Sequence, residues 1–462
     1  MLERDAYEKL LSWRRKNDGK ALLVDGARQV GKTYTVEELG RREYPDYVKV
    51  DFLRDDQAAR TLAGAGSVQE VIESIGVIVG RRLVPGQTLV FFDEVQEVPD
   101  IVTYSKYLVQ DGRFDVAMSG SLLGIEMAKV RSLPVGYLHT LTMYPLTFLE
   151  FCRAREVPES VIQRMEECYH ECVPMPEALH GPLIDLFRRY LVVGGMPEAV
   201  QAFLNTQGDL GAVRERQEDL VALYEDDIAK HAGRRALQVR AIFDALPGQI
   251  GKKNKRFLLN ALKQDNRFAE FANDFAWLTD ANAALETLCV TEPRPLLERS
   301  EQRNRFKLYQ SDVGMLMSRY RSSVALAALA GERSVNFGGV YENVVAQELV
   351  AAGVPLHYYY HSRKGEVDFV VETDEGVVPI EVKSGKGYKR HVALNNLLAS
   401  DEYGIDRALV LSEANVQMEE RVGGTVTYLP LYLLPFVAAE ARGTALPETG
   451  LPVVDWEGLI AQ

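Results

Sequence analysis

The octet Gly26-Ala27-Arg28-Gln29-Val30-Gly31-Lys32-Thr33 reads GxxxxGKT, and no other stretch of the chain combines residue types so suited to holding phosphate. Its glycines let backbone N–H groups turn toward phosphate oxygens with no Cβ in the way. Lys32 can reach the β/γ-phosphates and the Thr33 hydroxyl can hold Mg²⁺, so ATP with Mg²⁺ is the expected occupant. A second group follows at Leu89-Val90-Phe91-Phe92-Asp93-Glu94, an apolar run delivering two acids at its end. Asp93 would hold the Mg²⁺ shell through water, and Glu94 would polarise the water that attacks the γ-phosphate. Ser119, after another apolar run, stands where a γ-phosphate sensor would sit or where a helix would be N-capped. A third group lies far downstream, where Asp368, Glu381 and Lys383 form a D…ExK pattern with Glu342 ahead of it. Carboxylates sharing a face can hold Mg²⁺, and a lysine beside them can position or deprotonate a water for phosphodiester attack. The same residues could instead be a salt-bridged set that joins strands with no metal bound.

These groups need elements to position them. Strands are expected at Ala21–Asp25, Tyr47–Phe52, Thr88–Phe92 and Phe114–Ser119, and helices at Asp5–Arg15, Lys32–Leu39, Val68–Val79 and Val102–Gln110. Such alternation predicts a parallel sheet covered by helices. From Phe151 to Ser334 the pattern is mostly helical, with helices over Leu183–Val193 and Leu210–His231. Gly194-Gly195-Met196-Pro197 reads as a sharp turn packing the first of these. Phe257–Leu262 and Phe268–Leu278 followed by Leu285–Glu292 and Phe306–Tyr309 fit helix, helix and a strand pair, the order of a winged helix. Strands at His357–Tyr360, Glu366–Val371 and Val377–Val382 would carry the D…ExK residues. Glu381 and Lys383, two apart, share a face. Glu342 falls on a helix over Val340–Val350. Three domains are expected, 1–150, 151–335 and 336–462, in line with a length of 462 residues.

Net charge is −13, divided as −3, −1 and −9 over those three parts. An acidic chain has no general attraction to nucleic acid, so any such contact must be local. The candidate is a basic cluster from Arg234 to Arg267, in which Lys252, Lys253, Lys255 and Arg256 would meet DNA phosphates. A solvated helix face is the alternative, and a wing can also dock protein. In the last part, Lys386, Lys389 and Arg390 partly offset the acidic balance. No run approaches about 18 apolar residues, so no membrane span is expected. The charged start, Met1 to Asp5, lacks the core of a signal peptide. Four cysteines fit a reducing cytoplasm better than a disulfide framework, and Cys168, His170 and Cys172 lack the CxxC pairs of a zinc site.

GARQVGKT, FFDEVQEVPD, MSGSLL and YPLTFLEF resemble a family of bacterial and archaeal AAA-type ATPases with a C-terminal domain of unknown function. The resemblance continues through YLVVGGMPE at 190–198, FKLYQSDVG at 306–314, Tyr341-Glu342-Asn343 and Ile380-Glu381-Val382-Lys383. It implies a P-loop ATPase, with Walker A and Walker B elements, joined to a nuclease-like module. The last part is similar to the PD-(D/E)xK nuclease fold, in which the positions of Glu342, Asp368, Glu381 and Lys383 form the active site. Relatives usually carry Gly-Arg shortly before the PL(S/T)F segment, whereas this chain reads Leu133-Pro134-Val135-Gly136-Tyr137. An arginine finger donated there within a homo-oligomer would be missing, with Arg131 as a nearby replacement, and slow hydrolysis would follow. The expected protein is therefore an α/β, cytoplasmic, Mg²⁺-dependent ATP hydrolase whose nucleotide state controls a nuclease-like domain acting on DNA. The alternative is a nucleotide-dependent switch or scaffold whose terminal domain is an inactive nuclease fold used for docking.

Overall fold

Five apolar segments of the first 150 residues form a parallel sheet: β1 (Ala21–Gly26), β2 (Asp46–Asp51), β3 (Thr88–Asp93), β4 (Asp115–Ser119) and β5 (Leu138–Met143). Their order is β2-β3-β4-β1-β5, and every neighbouring pair is parallel. The computed structural model describes residues 2–121, 125, 134, 136–252, 256–257, 268–332, 334–385 and 387–443. β3 is buried along its whole length, which fits a central strand of a sheet covered on both faces. Helices Lys32–Glu43, Val68–Ile78 and Asp100–Asp111 connect the strands, and Ser67 caps the second of them through the Glu70 N–H. Helix Asp56–Ala63 and strand β5 add to the elements expected from sequence.

The middle of the chain is helical, with Glu177–Val193, Pro197–Asn205, Leu210–His231 and Ala236–Ile250 packed in succession. The Gly194-Gly195 turn is a point of close approach. A Cβ on Gly195 would collide with the Leu146 carbonyl, and one on Gly194 with Asp312. Gly195 N–H donates to Asp312 Oδ2 at 2.6 Å and the Gly195 carbonyl accepts from Leu146 N at 2.6 Å. The turn thus ties the end of the first sheet domain to the helices and to the Ser311-Asp312 corner. Burial pushes the Asp312 carboxyl up to about 6 even though backbone N–H groups favour its charge.

The strand pair expected of a winged helix is built into the second sheet. β6 (Ala284–Val290) and β7 (Glu301–Gln310) do form an antiparallel pair, but β6 also runs parallel to β8 (His357–His361). With β9 (Gly365–Thr373), β10 (Gly376–Val382), β11 (Arg407–Ser412), β12 (Gln417–Arg421) and β13 (Gly424–Pro430) they make one eight-stranded mixed sheet. Its order is β12-β13-β11-β10-β9-β8-β6-β7, so the hairpin forms its outer end. A boundary at residue 335 would cut this sheet. The helix expected at Phe257–Leu262 falls, beyond Phe257, outside the described residues.

Apolar packing also ignores the expected boundaries. The largest core cluster runs from Leu22, Val24 and Phe91 of the first sheet through Phe151, Tyr190 and Phe243 to Phe369 and Leu409 of the second. Several polar groups inside it are bonded. Tyr190 O–H donates to the Leu146 carbonyl at 2.6 Å, Gln347 donates to Tyr190 Oη at 2.9 Å, and Asn343 exchanges two bonds with the Gln310 backbone. Glu348 Oε1 accepts from Phe148 N–H at 2.8 Å and lies 2.9 Å from Tyr190 Oη.

Burial raises the Glu348 carboxyl to about 8. The folded state then holds a proton that the unfolded chain releases near its ordinary value of 4.5, so this group's contribution falls as pH rises from about 4.5 to 8. Glu348→Gln mimics the protonated form. It is expected to raise Tm above wild type by roughly 2 °C or more at pH 8.5, with little difference at pH 5. Thermal melts at the two pH values check this, and an equal effect at both would contradict it.

Candidate nucleotide site and a second acidic cluster

The phosphate-binding geometry begins where β1 ends. Gly26 has φ 135° and backs directly onto the Met143 carbonyl, so a side chain there would force β1 and β5 apart. Gln29 and Gly31 also take positive φ, 62° and 94°, and the helix starts at Lys32. The turn leads straight into a helix N-terminus, where unpaired N–H groups favour an anion. Lys32 lies deep in the loop, donating to the Gly26 and Ala27 carbonyls at 2.9 and 2.8 Å. Burial pulls its ammonium down to about 8, with Glu94 and Asp25 acting against that shift.

Asp93 stands opposite Thr33. The Thr33 hydroxyl lies 2.9 and 3.0 Å from the two Asp93 carboxylate oxygens, and the Ser119 hydroxyl bonds Oδ1. Hydroxyl and carboxylate on facing elements are oxygen donors of the kind Mg²⁺ accepts alongside water and phosphate, so the residues present fit that ion. Glu94 follows with φ 57°, and its Oε2 accepts from Gln96 Nε2 at 2.5 Å and from Ser121 Oγ at 3.3 Å.

Lys49, Arg4 and Asp227, which the sequence reading passed over, brace this site. Lys49 of β2 places Nζ 2.8 Å from Asp93 Oδ2. Burial opposes its charge, but Asp93 and Glu37 outweigh that and hold the ammonium above its ordinary value. Arg4 donates to the Val30 and Tyr144 carbonyls, both at 2.6 Å, and pairs with Glu150. Arg28, inside the octet, pairs at 2.5 Å with Asp227 of helix Leu210–His231. The period of β2 could have flagged Lys49, since it shares a face with Asp51. Nothing local signals Arg4 or Asp227, which are distant in sequence from their partners. Arg131, Leu133 and Val135 lie outside the described residues.

The D…ExK residues come from β9, β10 and the turn after it. Val382 N–H donates to Asp368 Oδ2 at 2.9 Å, and the Lys383 ammonium bonds Glu381 Oε1. Glu381 is buried and its Oε2 has no hydrogen-bond partner. Burial, and next the charge of Asp368, push its carboxyl up to about 7. Glu342, on helix Gly338–Ala351, accepts from Tyr309 O–H at 2.8 Å.

Lys307 of β7 joins these acids. Its Nζ lies 3.1 Å from Glu366 Oε1, 3.8 Å from Glu342 Oε2 and 3.8 Å from Asp368 Oδ1, and the residue is fully buried. Among the described residues no group of three or more His, Cys, Asp or Glu side chains is arranged to hold a metal ion. Glu342, Asp368 and Glu381 are the residues expected as ligands from sequence. A lysine ammonium lies between Glu342 and Asp368, and another holds Glu381. Lys307 was missed because β7 was read as half of a wing.

The basic cluster is likewise altered by its neighbours. Arg235 pairs with Asp274, Arg240 with Glu225 and Asp244, and Arg256 with Glu366 while stacking 3.5 Å from the Tyr360 ring centroid. Acids from other elements neutralise much of what looked unopposed in sequence. Lys252 bonds Gln249, and Lys253, Lys255, Lys263, Arg267 and Lys386 lie outside the described residues.

Comparison with known families agrees with the loop geometry. Residues 18–152 match the model of an AAA domain. Residues 184–323 match a domain of unknown function, DUF8612, and residues 337–434 match another, DUF4143. A search of curated proteins gave no match. Among solved structures, the Walker-type ATPase PABY2304 of Pyrococcus abyssi is similar at 13% identity and TM-score 0.41, over 69% of this chain and 96% of that one. PCH-2 of C. elegans is similar at 14% identity and TM-score 0.29, over 47% of this chain and 69% of that one. The Hsp104–ADP complex of S. cerevisiae is similar at 11% identity and TM-score 0.29, over 76% and 42%. Likeness at these scores is too slight to argue from. The family match carries the conclusion that the chain contains an AAA-type, ATP-binding domain. No helix among the described residues is long and apolar enough to cross a membrane.

Proposed function

We propose that the protein is a Mg²⁺-dependent ATPase in which nucleotide state at the P-loop sets the arrangement of the helical region and the mixed sheet behind it. The observation that carries this reading is the meeting of Lys32, Thr33, Asp93 and Glu94 at one helix N-terminus, inside a region that matches an AAA domain. Lys32 and the loop N–H groups would bind the phosphates. Thr33 and Asp93 would hold Mg²⁺, which supplies charge neutralisation at the β/γ-phosphates. Glu94 would take the proton of the attacking water, and Ser119 would sense the γ-phosphate. The Arg28–Asp227 ion pair offers a path to the helices, because phosphate in the loop competes for the same guanidinium. Binding of a fluorescent ATP analogue, followed by phosphate release with Mg²⁺, tests the proposal. No nucleotide affinity with Mg²⁺ supplied would end it.

For the terminal sheet we favour a docking or regulatory role over a metal nuclease, because Lys307 and Lys383 already neutralise its acids. One observation supports the second reading, a PD-(D/E)xK-type nuclease acting on DNA: the buried Glu381 Oε2 has no hydrogen-bond partner beside Asp368. Mn²⁺ separates the two. An ion that binds the folded state raises stability by roughly 2.7 kcal/mol at a hundredfold excess over its Kd. The docking role predicts the same Mn²⁺ response in wild type and Asp368→Asn. A Tm rise present in wild type and absent in Asp368→Asn, together with plasmid cleavage, would establish the nuclease instead. The unpaired thiols of Cys152, Cys168, Cys172 and Cys289 suit the reducing cytoplasm proposed as its setting.

A further inference from the structure

The Asp93 carboxylate has a partner that the nucleotide reading does not use. Lys49 Nζ lies 2.8 Å from Asp93 Oδ2, 3.2 Å from Glu37 Oε1 and 3.4 Å from Asp51 Oδ2. Glu37 belongs to the helix that starts with Lys32 and Thr33, Asp51 ends β2 and Asp93 ends β3. One ammonium therefore joins three elements that converge on the phosphate loop. A carboxylate offers about four acceptor positions, and Thr33, Ser119 and Lys49 all draw on those of Asp93.

We propose that Lys49 is a positioning residue for the metal: a tethered cation that competes with Mg²⁺ for Asp93 and moves onto Glu37 and Asp51 when the ion is bound. This rests on the nucleotide reading above. Two cations drawn to one carboxylate repel each other, and Mg²⁺ keeps much of its water and needs an acceptor for it. Glu37 and Asp51 give Lys49 a second seat on the same side chain's reach, so its displacement leaves no buried charge unpaired. The device sets how much Mg²⁺ the site requires before it closes on nucleotide.

The test is a Mg²⁺ titration of ATP-analogue binding in the full chain, reading the Mg²⁺ concentration at half-maximal effect. Lys49→Met is expected to lower that midpoint by about tenfold, while Lys49→Arg, which keeps the cation, stays within about twofold of wild type. Glu37→Gln removes one alternative seat and is expected to raise the midpoint. A role confined to structure would lower Tm in Lys49→Met and leave the midpoint where it was. An unchanged or higher midpoint in a folded Lys49→Met protein overturns the proposal. If Lys49→Met does not fold, an unchanged or lower midpoint in Glu37→Gln does so. Failure of the wild-type chain to bind nucleotide at any Mg²⁺ concentration would strike the ATPase reading instead, which keeps the two failures distinct.

Discussion

Lys32→Ala is expected to lower ATP affinity by on the order of 100-fold or more, since it removes charge-assisted bonds to phosphate, each worth about 1.5–3 kcal/mol. The loss has two parts. The cation that faces the β/γ-phosphates disappears, and the Gly26 and Ala27 carbonyls, which accept from Nζ at 2.9 and 2.8 Å, lose their donor. The same lysine predicts a pH profile. Its ammonium titrates near 8, well below the ordinary 10.5 of a lysine, because it is buried. A polyanion favours the protonated form. Below pH 8 the proton is already present; above it the proton must be taken up on binding, so affinity falls by up to about tenfold per pH unit. Equilibrium binding at pH 7, 8 and 9 measures this. A flat profile, or wild-type affinity in Lys32→Ala, would remove Lys32 from the phosphate site.

Glu94→Gln separates chemistry from binding. The amide keeps the size of the carboxylate and can still accept from Gln96 and Ser121, but it cannot take a proton from water. Hydrolysis is expected to fall by roughly 10²–10⁴-fold, the usual contribution of general-base catalysis, with ATP affinity within about twofold of wild type. Single-turnover phosphate release alongside equilibrium binding reads the two quantities. Turnover at the wild-type rate would move the general-base role elsewhere.

Much of the first domain could be read from pattern. β1 to β4 lie within a residue of the expected segments at each end, because short apolar runs bounded by Gly, Pro and charged residues leave few alternatives. β5 escaped notice because Leu138–Met143 is mostly half-buried at the sheet edge, and its polar His139, Thr140 and Thr142 blur the signal. In the second sheet, Asp368 and Glu381 were found together because a tight turn at Asp374-Glu375 links β9 to β10 and sets their register. Lys307 and Glu342 were not paired with each other beforehand. Thirty-five positions separate them, and a strand's period says which face a lysine takes but not which helix will cover that face. The Arg235–Asp274 and Arg256–Glu366 pairs failed to register for the same reason: a local charge count sees one element at a time.

The seam between β6 and β8 bears on how this protein can be divided. A fragment beginning at residue 336 would expose the flank of β8 that β6 occupies in the intact chain, leaving its main-chain N–H and C=O groups bare. Such an edge invites pairing with other copies, so the severed terminal piece is expected to aggregate. Co-expression of the two halves should restore solubility by supplying the missing strands in trans. The same stitching bars the helical region from swinging freely on a hinge near residue 335, so any stroke driven by nucleotide turnover has to be absorbed upstream of β6.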